Sequence, residues 1–304
     1  SSEMIIKVKE PVASEYGLIQ ERQTLFTYFH LAAVPDLAPV LTKKRVTAVA
    51  YETIQLPDGR LPLLQPMSEV AGKMSVQIGA NLLENERGGK GILLGGVPGV
   101  RRGRVVIIGG GTVGMAAAKI AVGLGAEVTV IDLSIPRLEY FDDVFGSRVN
   151  LLHSNPDTIM HSVRRTDLLV GAVLVPGARA PKLVDRKLVS EMEDGSAIVD
   201  VAIDQGGCIE TIHGTTHDNP TYLVDGVIHY GVTNMPGAVA QTSTFGLTNA
   251  TFGYAQKLAD LGAVEAAKRD PALALGFNTH DGFISHPVVA EALSMEYRPL
   301  FPGG

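Results

Sequence analysis

The sequence predicts an α/β chain built on a doubly wound parallel sheet, with a second, smaller α/β domain, on three observations. Its 304 residues amount to roughly two domains at about 150 residues each. Short β-branched runs bounded by Gly, Asp or Pro alternate with stretches of helical periodicity, as right-handed βαβ units do. One strand-to-helix junction is a glycine cluster, Gly109, Gly110, Gly111 and Gly114.

Taken in order, Met4–Val8 and Val46–Tyr51 are predicted strands separated by helical stretches at Gln23–Ala33 and Asp36–Lys44. Pro66–Gly89 reads as a long helix, with Ser68 as its cap and Val70, Ala71, Met74, Ile78 and Leu82 at helical spacing. Val105–Ile108, Glu127–Ile131, Arg148–Leu152, Leu168–Gly171, Ala197–Val201 and Val227–Tyr230 follow as strands, apolar on both faces as buried parallel strands are. Helices are predicted at Val113–Gly125, Ile135–Asp142, Asp157–Arg165, Thr242–Gly262 and Val264–Lys268. Residues 64–239 then form one nucleotide-fold domain. Two strands make a poor domain alone, so residues 1–63 are expected to pack with residues 240–304 as one discontinuous domain, incomplete at its N-terminus.

Composition excludes several classes. Lys plus Arg number 26 and Asp plus Glu 32, a net charge of −6, which disfavours a dedicated binder of nucleic acid or anionic membrane. The single cysteine, Cys208, rules out an intrachain disulfide framework and multi-cysteine metal sites. It fits a reducing cytoplasm. The histidines show no tight metal-ligand spacing, so no metal is predicted. Val105–Ala126 is nearly uncharged, but its glycines break it into a strand and a helix, and no membrane span is expected. A charged fraction of 19% is low for a soluble chain and hints at surface covered by other subunits.

Gly109-Gly-Gly111-Thr-Val-Gly114 is a GxGxxG preceded by a strand and followed by a helix. Gly109 permits the tight turn, Gly111 lets a pyrophosphate approach the backbone, and Gly114 allows close helix packing, the dinucleotide-binding fingerprint of a Rossmann domain. The helix N-terminus offers N–H groups and partial positive charge to phosphates. Asp132, eighteen residues past Gly114, can accept bonds from both ribose hydroxyls and repels a 2′-phosphate, so NAD is favoured over NADP. Arg137 is placed over the adenine. Asp204, in Asp200-Val-Ala-Ile-Asp204-Gln-Gly-Gly207, lies just past a buried strand. On spacing alone it reads either as a reactive carboxylate or as a cap for the Gly-rich turn.

Together, Asp200-Val-Ala-Ile-Asp204-Gln-Gly-Gly-Cys208, Thr233-Asn-Met-Pro-Gly237, Pro66-Met-Ser-Glu-Val-Ala-Gly72 and Val8-Lys9-Glu10-Pro11 resemble the alanine dehydrogenase family, which shares ancestry with nicotinamide nucleotide transhydrogenase. The resemblance runs in order over essentially the whole chain. It implies a flavodoxin-like substrate domain and NAD-linked, reversible deamination of L-alanine to pyruvate and ammonium. It implies three catalytic residues: Lys9 on the substrate carboxylate and carbonyl, His30 as acid/base, and Asp204 for the water and ammonia steps. For the cofactor it implies Ser68 at the diphosphate, Asp132 and Arg137 at the adenosine, Val173 and Leu174 along the crevice, and Asn234 and Met235 beside the nicotinamide. It further implies a cytoplasmic homo-oligomer, a hexamer.

Each residue also has a plainer reading. Lys9 reads equally as a solvated lysine at a strand end, and His30, among Leu25, Phe26, Phe29 and Leu31 on a predicted helix, as a satisfied core histidine. Cys208 reads as a passive small residue, and Glu10 as support for Lys9 or a neighbouring backbone group. The family carries a further stretch before Val-Lys-Glu-Pro, with an arginine for the substrate carboxylate, and Arg22 and Arg45 are not in that context. The expectation is therefore of a shortened substrate domain. Losing a charge-assisted arginine contact weakens binding by roughly 10- to 100-fold. Two alternatives to an active alanine enzyme follow: a non-catalytic NAD-binding relic or regulator, and a relative acting on another amino acid or 2-oxo acid.

Overall fold

The computed structural model of the chain describes residues 2–173 and 180–301. The leading strands are β1 (Met4–Ile6), β2 (Thr24–Thr27) and β3 (Thr47–Ala50), with helix α1 (Leu37–Lys43) between the last two. Helix α2 (Gln65–Leu82) precedes the fingerprint strand β4 (Arg104–Ile108), α3 (Thr112–Gly123), β5 (Glu127–Asp132), α4 (Ile135–Phe145), β6 (Val149–His153), α5 (Pro156–Val163) and β7 (Leu168–Gly171). Then come α6 (Arg186–Ser190), β8 (Ala197–Asp200), β9 (Thr221–Val224), β10 (Val227–Tyr230) and α7 (Ala240–Leu261). The tail holds α8 (Ala263–Arg269), α9 (Pro271–Ala274), β11 (Phe277–His280), β12 (Phe283–Ile284) and α10 (Pro287–Leu293).

The chain divides into two compact units, one of Ser1–Met67 with Thr244–Gly304 and one of Ser68–Ser243. The first holds a five-stranded sheet in the order β1-β2-β3-β11-β12, with β1, β2 and β3 parallel and the last two strands antiparallel. Leu25 and Ala48 pack into one apolar cluster, while Phe26 and Val49 pack into another. The alternation of period two places a core on each face of the sheet.

The second unit holds a seven-stranded sheet in the order β6-β5-β4-β7-β8-β10-β9, parallel except for β9. Val105 and Ile107 belong to one buried cluster, Val106 and Ile108 to the other. Chain order reverses between β4 and β7, the switch point where doubly wound sheets bind ligands. At the opposite, amino end of these strands sits a buried ion cluster. The fully buried Asp167 carboxylate pairs with Lys90 Nζ at 2.6 Å and with both terminal nitrogens of Arg101 at 2.7 and 3.1 Å. It also accepts from Arg104 N at 2.7 Å.

Several expectations are corrected. Gln23–Ala33 is not helical: Thr24–Thr27 is the second strand, paired on both sides. Because both of its faces are buried, its apolar run lacks the alternation that marks a half-exposed strand. Strands β9, β11 and β12 were not predicted. Helix α2 ends at Leu82 rather than Gly89, since the chain folds back so tightly that a Cβ on Gly89 would lie 2.3 Å from Leu82 O. Ser68 is three residues inside α2 instead of capping it. Among the described residues, no helix is long and apolar enough to cross a membrane.

The Asp167 cluster generates a stability prediction. Burial alone would raise this carboxyl's pKa, but Arg101, Lys90 and the Arg104 N–H outweigh it and hold it below its ordinary 3.8. Asp167→Ala leaves the largely buried Lys90 with only the exposed Glu193 as a carboxylate partner and strips Arg101 of its carboxylate, a loss on the order of 3 kcal/mol. A carboxyl depressed in the folded state stabilises above its unfolded pKa and loses that contribution as pH falls through its folded value. Urea melts of both proteins should show a full gap at neutral pH that closes only below about pH 3.8; a gap absent at pH 7 would discount the cluster.

Candidate functional site

In the second unit, the glycine cluster sits at the switch point. Gly109 adopts φ +105°, and a Cβ there would meet Ala172 O at 2.5 Å, so the turn after β4 runs directly against the end of β7. A Cβ on Gly114 would lie 1.9 Å from Gly109 O, which is why α3 can pack so close to the turn. A Cβ on Gly111 would meet nothing within 4 Å. Gly111 is the N-cap of α3, and no side chain caps that helix. Open space therefore faces unpaired N–H groups and the positive end of a helix dipole.

Asp132 closes β5 beside this turn. Its carboxylate accepts from Gly110 N at 2.5 Å and Ser134 N at 2.8 Å, and each oxygen keeps acceptor capacity for a further donor. Arg137 is on α4, with its Nε donating to Gly110 O and its guanidinium 4.9 Å from the Tyr140 ring centroid. It is thus anchored to the glycine turn. Val173 is partly buried against the apolar cluster that contains Ile108, whereas Leu174 lies outside the described residues.

Past β8, the carboxylate that organises the loop is Asp200, not Asp204. Asp200 Oδ1 accepts from Ala202 N at 2.9 Å, and its Oδ2 accepts from Cys208 N and Ile209 N at 2.8 and 3.1 Å. Burial raises its pKa, opposed by those three N–H groups and by Lys182. Lys182 donates from Nζ to the carbonyls of Gly206, Gly207 and Ile209 at 2.7, 3.0 and 2.9 Å. The loop is held by an anion on its N–H groups and a cation on its carbonyls, and it presents Asp204 exposed on a 3-10 turn over Val201–Gln205. Asn234 is left-handed at φ +60°, with its carbonyl oxygen 3.2 Å from His217 Nε2, and the next residue, Met235, is buried. Cys208 is buried 3.8 Å from Asp200, and burial pushes its thiol pKa well up, which removes it as a nucleophile.

In the first unit, three adjacent parallel strands bring their carboxyl ends together. Beyond β1 come Lys9 and Glu10, beyond β2 His30, and beyond β3 Glu52. Thr27 Oγ1 donates to Lys9 O at 3.0 Å, tying the first segment to the second strand. Lys7 is committed to Glu15, whose carboxylate also accepts from Val12 N. His30 Nδ1 lies 3.3 Å from Glu10 Oε2, and its ring stacks on Tyr28 with centroids 5.8 Å apart. Tyr28 is itself fixed by donating to Leu63 O at 2.6 Å. Burial alone would lower the His30 pKa, but the Glu10 hydrogen bond and the Glu52 charge overcome burial and the opposing Lys9 charge, so it is raised above 6.5. His30 is not on a helix. It follows a strand, with φ +48°.

Lys9 and His30 are thus brought together in one unit, while Asp204, the glycine turn, Asp132 and Asn234 belong to the other. Glu52, Asp200 and Lys182 were missed. Glu52 carried a usable signal, since it directly follows a predicted strand, as Lys9 does.

The sequence matches the family described as Alanine dehydrogenase/PNT, through its N-terminal domain over residues 1–71 and its C-terminal domain over residues 75–287. It is 57% identical over 300 residues to an alanine dehydrogenase of Methanococcus maripaludis, covering 98% of this chain and 80% of that protein. To one of Staphylococcus epidermidis it is 56% identical over 299 residues, covering 98% and 81%. A solved L-alanine dehydrogenase superposes with a TM-score of 0.90 at 55% identity over 97% of this chain and 81% of that one. A transhydrogenase from Sinorhizobium meliloti, 20% identical, shares the fold with a TM-score of 0.78 over 93% and 81% of the two chains.

The contrast between two of the glycines is testable by thermal unfolding. Gly111→Ala projects into open space with an ordinary φ of −65° and should melt like the wild type, within about 0.5 kcal/mol. Gly114→Ala must push α3 off the turn and should cost about 1–3 kcal/mol. Equal melting of the two variants would contradict the packing described.

Proposed function

Because this chain belongs to the alanine dehydrogenase/PNT family and is an oxidoreductase, we propose that it converts L-alanine, NAD+ and water to pyruvate, ammonium, NADH and a proton, reversibly. The observation that carries this reading is the grouping of Lys9, Glu10 and His30 at adjoining parallel strand ends, with Glu10 on His30 Nδ1.

NAD, when bound, supplies the acceptor for the hydride that leaves the substrate's α-carbon. What supports NAD is the open face of Gly111, the uncapped start of α3 and the Asp132 carboxylate. Asp132 would hold the ribose hydroxyls and repel a 2′-phosphate, while Arg137, bound to the glycine turn, stiffens the floor beneath them. Ser68, Val173, Leu174, Asn234 and Met235 complete the proposed cofactor contacts.

Lys9, a compact point charge, would hold the substrate carboxylate and later the carbonyl oxygen. Deamination needs a base to take the amino group's proton before oxidation. It then needs a proton shuttle as water adds to the iminium carbon and the carbinolamine expels ammonia. His30 would perform both through the nitrogen that Glu10 does not hold, since an imidazole titrates near the working pH. Asp204 would offset the developing positive charge and orient the water. The same reading implies a homo-oligomer, for which Phe245 and Phe252 of α7, 64% and 65% exposed, supply apolar surface.

The test is NADH formation from L-alanine. Lys9→Ala and His30→Ala should each lower kcat/KM at least about 100-fold while leaving NAD binding by calorimetry intact. Alanine oxidation needs neutral His30, and Glu10 and Glu52 raise its pKa. Log kcat/KM should therefore rise with pH through an apparent pKa above 6.5 that is absent in His30→Ala. NAD binding with no alanine-dependent reduction by the wild type would overturn the reading.

A further inference from the structure

We infer that Glu52 is a positioning residue that fixes the left-handed backbone of His30 and so aims the imidazole's free Nε2 at the substrate. The inference rests on His30 acting as the acid/base.

The geometry is specific. Glu52 sits in the 3-10 turn Tyr51–Thr53 that follows β3, beside the β2 strand from which the His30 segment emerges. Its Oε1 accepts from His30 N at 2.7 Å and from Phe29 N at 3.1 Å, and its Oε2 lies 3.3 Å from the same Phe29 N. One carboxylate therefore takes two consecutive backbone donors at the point where the chain turns to φ +48°. A non-glycine residue in that region costs on the order of 1–3 kcal/mol and persists only where its surroundings over-determine it. Here they do: Glu52 holds the N–H side, and Ala33 N donates to His30 O at 2.7 Å on the carbonyl side. Glu10 takes Nδ1, and among the described residues none bonds Nε2.

Two features separate this role from simple turn capping. A glycine would adopt the turn without strain, yet a histidine occupies it, so the conformation serves to aim a side chain. The clamp is also an anion where a neutral acceptor would satisfy the same two N–H groups. Among the described residues, the charged and titratable groups facing His30 are Glu10 and Lys9 from the segment after β1, Glu52 from the turn after β3 and Tyr28 from its own segment. Lys9 opposes protonation of the imidazole, whereas Glu10 and Glu52 favour it. Glu52 thus balances Lys9 and keeps the shuttle chargeable beside a fixed cation.

Glu52→Gln separates charge from geometry, because its amide oxygen still accepts from the backbone. Titrating the histidine ring protons of the ligand-free protein by NMR, with the His30 signals identified by their loss in His30→Ala, should show the His30 midpoint at lower pH in Glu52→Gln, by roughly half a unit or more. The acidic limb of the kcat/KM profile for alanine should move the same way. Glu52→Ala, which also releases the backbone, should lose up to about 100-fold in kcat/KM with NAD affinity unchanged, and Glu52→Gln should recover most of that loss. An unmoved His30 midpoint in Glu52→Gln, or full activity in Glu52→Ala, would overturn the inference. Failure of the wild type to oxidise alanine would instead count against the proposed function, because the NMR titration needs no substrate.

Discussion

Parallel strands that share a sheet must all end on the same edge, and the gathering of the candidate site residues depends on that constraint. In the first unit, three adjacent strand ends put Lys9, His30 and Glu52 within reach of one another although they lie 21 and 22 residues apart in sequence. In the second unit, the edge carries the glycine turn after β4, Asp132 at the end of β5, Val173 after β7 and the Asp204 loop after β8. No loop has to be long, because the sheet does the gathering.

What loops remain are fixed by charges acting on backbone. Asp200 collects three N–H groups and Lys182 three carbonyls around one short turn. Glu52 collects two N–H groups at His30, Asp132 one at the glycine turn and one at the start of α4, and Asp167 one at the opposite end of the sheet. Charge-assisted bonds to backbone are stronger than neutral ones. These side chains thus make rigid the segments that regular secondary structure does not reach, while Asp204 stays exposed.

The fold class was legible because buried parallel strands are long β-branched runs and because the glycine cluster stands between a strand and a helix. The glycine spacing also pointed to Gly109, Gly111, Gly114 and Asp132, which the fold sets side by side at the switch point. Less legible were Thr24–Thr27, which lost its alternation because both of its faces are covered, and Phe277–His280, which pairs with a strand more than two hundred residues earlier. Lys9 and His30 came from resemblance, since nothing in Val-Lys-Glu-Pro or Tyr-Phe-His shows that these segments meet. Asp200 escaped because its partners are backbone atoms, which leave no trace in residue identity; for Glu52 only its place after a predicted strand was readable, not the backbone groups that it binds.

The discontinuity of the first unit also bears on how the chain is made. Strand β3 emerges early, yet its neighbour β11 comes only after all of Ser68–Ser243 has been synthesised. At about 5–20 residues per second, the 227 residues from Ala50 to Phe277 take roughly 11–45 s. For that time one edge of β3 has no partner, and unpaired edges recruit other chains. The second unit, complete in one stretch of sequence, has no such wait. Its folding on the ribosome is therefore a local event, whereas the half that carries Lys9 and His30 is finished last.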